Sequence, residues 1–304
     1  MAVQTQPPET ASFQWTKQWY PMAVVAHLDP SRPHSVQLLG RDLVLWYAGD
    51  GDWRCFTDAC PHRRVPLSEG RVEPDGTLLC AYHAWRFNAD GRCVAIPQSL
   101  DAATEQRHCA NPRSCALAFP TQQRLGLLWV WGEGGPEAEQ DSRQRDPVLV
   151  EELVDDPARI ASVRWNQRDL PYGWDFFMEN VADPAHVPVS HHGLVGNRYT
   201  DARYYDMEPR RPMDPQDGFS FAITPTPEGI REAVHDFHPP CLMRIATASA
   251  DGGGLVLALY VSPTRPGWCR QIASQVVLKS PSGRSPRGLA FFGLPIPTLS
   301  LIHI

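Results

Sequence analysis

The sequence predicts an α+β protein in which an all-β unit precedes a second unit that combines an antiparallel sheet with helices. Three observations predict it. From Trp15 to about Trp131, short apolar runs bounded by turn residues dominate the chain. One stretch of helical periodicity follows near Trp174. Beyond residue 215 the strand-like runs return. The 30 prolines fit many turns and short strands better than long helices.

In chain order, SVQLLGRDLVLWYAG reads as a hairpin with its turn near Gly40-Arg41-Asp42, and RLGLLWVWG (124–132) as an aromatic strand closing the same unit. EGGPEAEQDSRQRDP (133–147) is polar, rich in Gly and Pro, and without periodicity, as expected of a linker or surface loop. PARIASVRWNQRDLPYG reads as a strand leading into a turn. A helix then starts near Trp174, with Trp174, Phe177, Met178 and Val181 on one apolar face. GFSFAITP, LMRIATAS, GLVLALYVS and RQIASQVVL read as the later strands.

The 304 residues suffice for two modest domains, and a hydrophobic fraction of 42% suffices for a real core. A net charge of -6 gives no electrostatic footprint for nucleic acid. The longest apolar run, LVLALYV (255–261), fits a buried strand and is too short to span a bilayer as a helix. The N-terminal stretch MAVQTQPPETASFQW has neither the apolar core of a signal peptide nor an Arg-rich transit pattern, so the expected location is cytoplasmic. Eight cysteines in such a chain are expected to be metal ligands or core residues rather than disulfide halves.

Two groups of residues carry chemistry. The first lies in CPHRRVPLSEGRVEPDGTLLCAYHAWRF: Cys60-x-His62, then 17 residues, then Cys80-x-x-His83. A Cys₂His₂ zinc finger pairs its cysteines in one half and its histidines in the other. Here each half gives one thiolate and one imidazole. That even split suits a [2Fe–2S] centre in which one iron takes both Cys and the other both His. Trp85 is placed to shield such a cluster from water. The other six cysteines have no partner at ligand spacing.

The second group is Asp183, His186 and His191 in ENVADPAHVPVSHHG. These are ligand types for a divalent transition metal. Asp183 and His186 share a helix face. At about 100° per residue, His191 would lie about 140° around a regular helix from His186. Pro188 between them predicts a kink or bulge that brings the two imidazoles together. His192, and the H-x-x-H pair His235/His238 placed in a loop, are read as bystanders.

The first motif, followed about a hundred residues later by E-N-x-x-D-x-x-H-x₄-H, resembles the α-subunit of the Rieske non-haem iron oxygenases across essentially the whole chain. Within that family QWYPMAVVAHL, RCFTDACPHRRVPLSEG, RDLPYGWDFFMENVADPAHVPVSHHG and PRGLAFFGLPIP most resemble the pheophorbide a oxygenase and chlorophyllide a oxygenase branch. One departure is Ala84, where the family usually has Gly.

The resemblance implies a Rieske domain over 15–132, a linker or surface loop over 133–147, and a helix-grip catalytic domain over 148–298 that is incomplete. It implies a Rieske [2Fe–2S] cluster on Cys60, His62, Cys80 and His83, and a mononuclear Fe(II) on His186, His191 and a distant carboxylate, with O₂ as co-substrate. Asp183 matches the family's bridging carboxylate, with His83 and His186 as its partners across a subunit interface. Implied partners are a ferredoxin or reductase as electron donor, a chlorin-like or aromatic small molecule, and two further copies in a homotrimer. The resemblance leaves membrane association open, including a peripheral place at photosynthetic membranes.

The third iron ligand is not evident. After His191 the acids are Asp201, Asp206, Glu208, Asp214, Asp217, Glu228, Glu232, Asp236 and Asp251, mostly in Pro/Gly-rich loops. The end LSLIHI (299–304) reads like a translated transposon-based sequencing adapter and is set aside as an adapter-derived scar. On that reading the third ligand lies beyond residue 304. Two alternatives remain at this point: the same chemistry on another aromatic or methylated small molecule, and a Rieske electron-transfer protein without oxygenase chemistry.

Overall fold

The computed structural model describes residues 12–194, 196–225, 232–248 and 251–284. Strand β1 (Trp19–Val24) is buried along its length, and β2 (His34–Leu38), β3 (Arg41–Tyr47) and β4 (Trp53–Thr57) form a meander. The tight turn between β2 and β3 is Leu39-Gly40, both at positive φ, and Arg41 already pairs with Leu38. The expected turn over 40–42 is thus shifted toward the N-terminus. Gly40 takes the left-handed conformation at no steric cost, and Leu39 bears the strain.

Four two- or three-residue strands follow in a separate sheet: β5 (Arg71–Val72), β6 (Leu78–Leu79), β7 (Arg86–Phe87) and β8 (Cys93–Ala95). Helix α1 (Ala102–Cys109) is capped by Asp101, whose side chain accepts from Thr104 N at 2.7 Å. Strand β9 (Ala118–Phe119) joins β4, while β10 (Thr121–Arg124) and β11 (Leu127–Trp131) make a three-stranded sheet in the order β1-β11-β10.

The next stretch, expected as a linker or surface loop, holds a short helix, α2 (Pro136–Ser142). Pro at the first turn and Glu137 and Glu139 beside it suit a helix N-terminus. The segment is tied down: Lys17 bonds Asp141 at 2.6 Å, and the Trp19 indole donates to the Arg145 carbonyl at 2.7 Å. Helix α3 (Glu151–Asp155) comes after it.

The expected strand from Pro157 is broken into β12 (Ile160–Ser162) and β13 (Asn166–Leu170), which pair successively along one partner strand. Helix α4 (Trp174–Ala182) buries Phe177, Met178 and Val181, as its periodicity requires. The four-residue helix α5 (Val187–Ser190) follows. The remaining strands are β14 (Met207–Asp214), β15 (Gly218–Ile223), β16 (Ala233–His238), β17 (Leu242–Ala248), β18 (Gly254–Pro263) and β19 (Cys269–Leu278). They form an antiparallel sheet in the order β12-β19-β18-β17-β16-β15-β14, with β13 also on β19. β14 and β16 lie outside the expected strands, so His235 and His238 stand in a strand rather than a loop, and Glu208, Asp214 and Asp236 stand in strands as well.

Three apolar cores organise these elements. β3 is buried on both faces, which is why its apolar run does not alternate. Leu43 and Leu45 enter the large core, whereas Val44 and Trp46 enter a smaller one with Cys60, Cys80 and Phe87. β18 divides its residues likewise. Val256, Ala258 and Tyr260 join the large core, where Tyr260 meets Trp129 at 5.1 Å. Leu259 and Val261 join a third core under α4. The N-terminal sheet therefore packs on one face of the large sheet and α4 on the other. Arg270 reinforces the first contact, gripping both Asp169 carboxylate oxygens at 2.7 and 2.8 Å and the Met22 carbonyl at 2.7 Å.

Candidate metal centres

Cys60, His62, Cys80 and His83 lie on two loops that close in the same way. Cys60 N donates to Val65 O and Arg64 N to Cys60 O, each at 2.8 Å. In the second loop Cys80 N donates to Trp85 O at 2.9 Å and Ala84 N to Cys80 O at 3.1 Å. Arg64 and Ala84 thus occupy equivalent positions four residues after each cysteine. Both are left-handed, at φ 61° and 57°. At position 84 the Gly expected from the resemblance would take this backbone without the strain that Ala84 bears. Asp58 braces the first loop by accepting from Ser68 N at 2.7 Å and Ser68 Oγ at 2.6 Å.

The loops bring like groups together. The Cys60 thiol interacts directly with that of Cys80, and the His62 and His83 rings lie 4.6 Å apart. Burial pushes the Cys60 thiol up to about 11, with Cys80 adding to it, while the His62 and Arg63 backbone N–H groups act in the opposite direction. Burial, then His83 and Arg63, holds His62 below its ordinary value. Trp85 covers His62 as a parallel stack at 4.8 Å and 3°. The fit to a two-iron cluster rests on one polar atom: His62 Nδ1 is buried and without a hydrogen-bond partner, as an atom reserved for a metal would be. Among the described residues no three His, Cys, Asp or Glu side chains are arranged to hold one metal ion. Two pairs facing across a gap suit a dinuclear cluster, not a single-ion cage.

The second group is built differently from the expected kinked helix. α4 ends at Ala182, Asp183 caps it with extended backbone, and a new turn begins after Pro184. The Asp183 carboxylate accepts from Ala185 N at 2.7 Å, which fixes that turn. His186 Nδ1 is 2.6 Å from the Asp183 carbonyl and 3.6 Å from its carboxylate. The carbonyl can only accept, so it fixes a proton on Nδ1 and leaves the Nε2 lone pair free. That lone pair faces His191 Nε2 at 3.3 Å. Two cis ligands of a metal at about 2.1 Å stand about 3 Å apart, so the pair is close to metal-ready. Burial, with His186 adding to it, lowers the His191 pKa.

The candidate acids do not join this pair. Asp201 accepts from Asn197 N and Thr200 Oγ1, both at 2.8 Å, and Asp206 accepts from Thr224 Oγ1 at 3.3 Å. Glu228 and the stretch 286–304 fall outside the described residues. The cysteines set aside by their spacing include one close pair, Cys93 and Cys109, with Sγ atoms 3.8 Å apart. Cys109 ends α1, sixteen positions on from Cys93, so spacing alone does not reveal the pair. No helix among the described residues is long and apolar enough to cross a membrane.

Comparison with known proteins bears on the two units of the chain. A family profile described as Rieske [2Fe-2S] domain matches residues 18–105, and one described as Pheophorbide a oxygenase matches 237–292. A chloroplastic pheophorbide a oxygenase of Arabidopsis thaliana is 44% identical over 192 residues, covering 62% of this chain and 35% of that protein. A chloroplastic flavonoid 8-hydroxylase of Ocimum basilicum is 36% identical over 188 residues, covering 60% of this chain and 35% of that protein. The chain thus spans about a third of the length of these relatives. The NdmB structure of Pseudomonas putida CBB5 superposes with a TM-score of 0.72 at 22% identity, covering 96% of this chain and 83% of that one. That likeness establishes a shared fold. The chain therefore carries a Rieske [2Fe–2S] domain followed by a segment of the pheophorbide a oxygenase type.

Proposed function

We propose that the chain is the oxygenase component of a Rieske non-haem iron system that uses O₂ and externally supplied electrons to oxygenate a large cyclic substrate, a chlorophyll derivative such as pheophorbide a or chlorophyllide a. Cys60 and Cys80 hold one iron of the [2Fe–2S] cluster, and His62 and His83 the other. His186 and His191 are two protein ligands of a mononuclear Fe(II). When bound, these groups supply one-electron transfer and O₂ activation. The chain's own part is to aim His186 Nε2 through the Asp183 carbonyl, to shield His62 with Trp85, and to present the half-exposed Asp183 carboxylate to His83 of a neighbouring copy in a homotrimer. A ferredoxin or reductase is the electron donor. The place of action is the aqueous side of a tetrapyrrole-handling compartment, a cytoplasm or, as the relatives' names indicate for them, a chloroplast.

The observation that carries this reading is the sorting of thiols with thiols and imidazoles with imidazoles, followed downstream by a facing imidazole pair. The test is O₂ uptake by purified protein with a chemical or ferredoxin donor. Uptake should rise on adding pheophorbide a, with acid-labile sulfide at two per chain. Sulfide at that ratio without substrate-dependent uptake would favour a pure electron-transfer protein. The flavonoid-hydroxylating relative supports a second reading, the same chemistry on a smaller aromatic ring. A flavonoid that stimulates uptake where pheophorbide a does not would establish it.

A further inference from the structure

Across β15 to β18, two neighbouring cross-strand rows of the large sheet face turned toward α4 are apolar apart from His235. Register sets Phe219, Phe237, Met243 and Leu259 in one cross-strand row. Phe221, His235, Ile245 and Leu257 form the next row, two residues along on the same face. The first row lies under α4, where Trp174 meets Phe237 at 6.0 Å and Met243 and Leu259 are buried. The second row borders that core, and Phe221, Ile245 and Leu257 are only half-buried. His235 is its polar member on these four strands, with Gln275 following Leu257 on β19; His235 is 4% exposed, with its ring stacked on Phe221 at 4.7 Å and 15°.

Among the described residues His235 uses none of its hydrogen-bonding capacity. Nδ1 is sealed from solvent without a partner, whereas Nε2 is not sealed and makes no hydrogen bond among the described residues. Burial pushes the imidazole down to about 4, opposed only by Asp236, so the ring is neutral and carries one proton. A sealed N–H without an acceptor is rarer than a sealed bare nitrogen. The proton therefore belongs on Nε2, at the accessible edge of the ring. An unmatched imidazole in an apolar face works against stability, and a Phe or Leu would fill the place without that cost. The last turn of α4, Val181 and Ala182, packs into the same core, and Asp183, His186 and His191 follow it directly.

We infer that His235 is a substrate-recognition residue whose Nε2–H donates to a carbonyl oxygen on the edge of a flat conjugated ring lying along the Phe221–His235–Ile245–Leu257 row. This rests on the oxygenase reading proposed above. It adds the chemistry that the ring must carry: an acceptor oxygen at its rim, with apolar area on either side.

The test uses pheophorbide a, whose ring bears a ketone, and the derivative in which that ketone is a methylene group. Each is titrated into purified protein and followed by quenching of tryptophan fluorescence. Wild type should bind the ketone about ten-fold more tightly, the discrimination one hydrogen bond gives. His235→Phe keeps the stack on Phe221 and should bind both rings alike without a fall in melting temperature. His235→Leu reads the same loss of preference where the Phe variant does not fold, and His235→Gln, which restores a donor, should recover part of it. A ketone preference that survives in folded His235→Phe, or is absent from wild type, overturns the inference alone. Failure of wild type to bind either ring overturns the substrate reading and the inference with it.

Discussion

His186 and His191 face each other through Nε2 at 3.3 Å, although a regular helix would turn them about 140° apart. The chain achieves this by ending α4 at Ala182, spending Asp183 to Ala185 on a side-chain-capped turn, and starting α5 only at Val187. Pro188 sits in the first turn of that helix, where its missing N–H costs nothing. The proline matters as a helix starter rather than as a kink.

Asp183 links the two metal sites on the proposed reading. Asp183→Asn keeps the backbone carbonyl that holds His186 Nδ1, and an amide oxygen can still accept from Ala185 N. Both metal sites should load as in wild type, while single-turnover oxidation of the reduced cluster slows by at least ten-fold. Oxidation at the wild-type rate would remove the bridging role.

Cys80→Ala should abolish the red-brown colour and the acid-labile sulfide, because one iron loses half of its thiolate pair. Cys93→Ala, in the same small core but outside the ligand set, should retain both. A coloured Cys80→Ala protein would show that the thiol pairing has another purpose.

Ala84 stands at φ 57°, a conformation that costs an L-residue energy and glycine none. Ala84→Gly should stabilise the cluster loop by about 1 kcal/mol, read as slower cluster loss on heating. No gain, or a loss, would mean that the Ala84 methyl group contributes packing that outweighs the strain.

His235 sets a pH limit. Its folded pKa, pushed down by burial to about 4, lies below the unfolded value near 6.5, so the unfolded chain binds the proton more readily between the two. The stability that depends on neutral His235 is complete above pH 6.5 and lost as pH falls toward 4, by roughly 3 kcal/mol in all. Denaturant midpoints measured from pH 7 to 4 should fall less steeply in His235→Phe than in wild type. Parallel curves would contradict the burial argument.

Arg270 is 9% exposed and joins β19, β13 and β1 through Asp169 and the Met22 carbonyl. Arg270→Ala leaves that carbonyl and one side of Asp169 unmatched and should cost about 2–3 kcal/mol. Asp169 is half-exposed, so Asp169→Asn should cost less. Circular dichroism and cluster absorbance should still report one coincident transition in both variants, because the large core includes residues of both sheets.

How much of this was legible in the sequence depends on what each element buries. The two Cys/His loops were readable because their pattern is local: four residues of two types at fixed spacing and turns between them. α4 announced itself by Phe177, Met178 and Val181. β14 did not, because an edge strand exposed along almost all of MEPRRPMD has no buried face to impose alternation, and its prolines read as loop. α2 was hidden by a polar composition that suits a surface helix as well as a loop. His235 looked like a bystander because only the pairing of β15, β16 and β17 shows that an imidazole sits in an apolar row. The Cys93–Cys109 approach is likewise tertiary. Sequence spacing reports ligands on one loop and is blind to neighbours brought together across elements.

The shared core of the N-terminal sheet and β17–β19 bears on how such proteins can diverge by recombination. The stretch 133–147 looks like a natural crossover point between the Rieske module and the unit that carries the facing histidines. Yet Trp129 against Tyr260 and Arg270 against Met22 straddle it, and Trp19 holds the stretch itself through the Arg145 carbonyl. A chimaera joined there would inherit two half-surfaces from different parents. The modules can be exchanged only if their seam is exchanged with them, so the lineage is expected to have changed its substrates by point substitution within one inherited pairing rather than by shuffling cassettes.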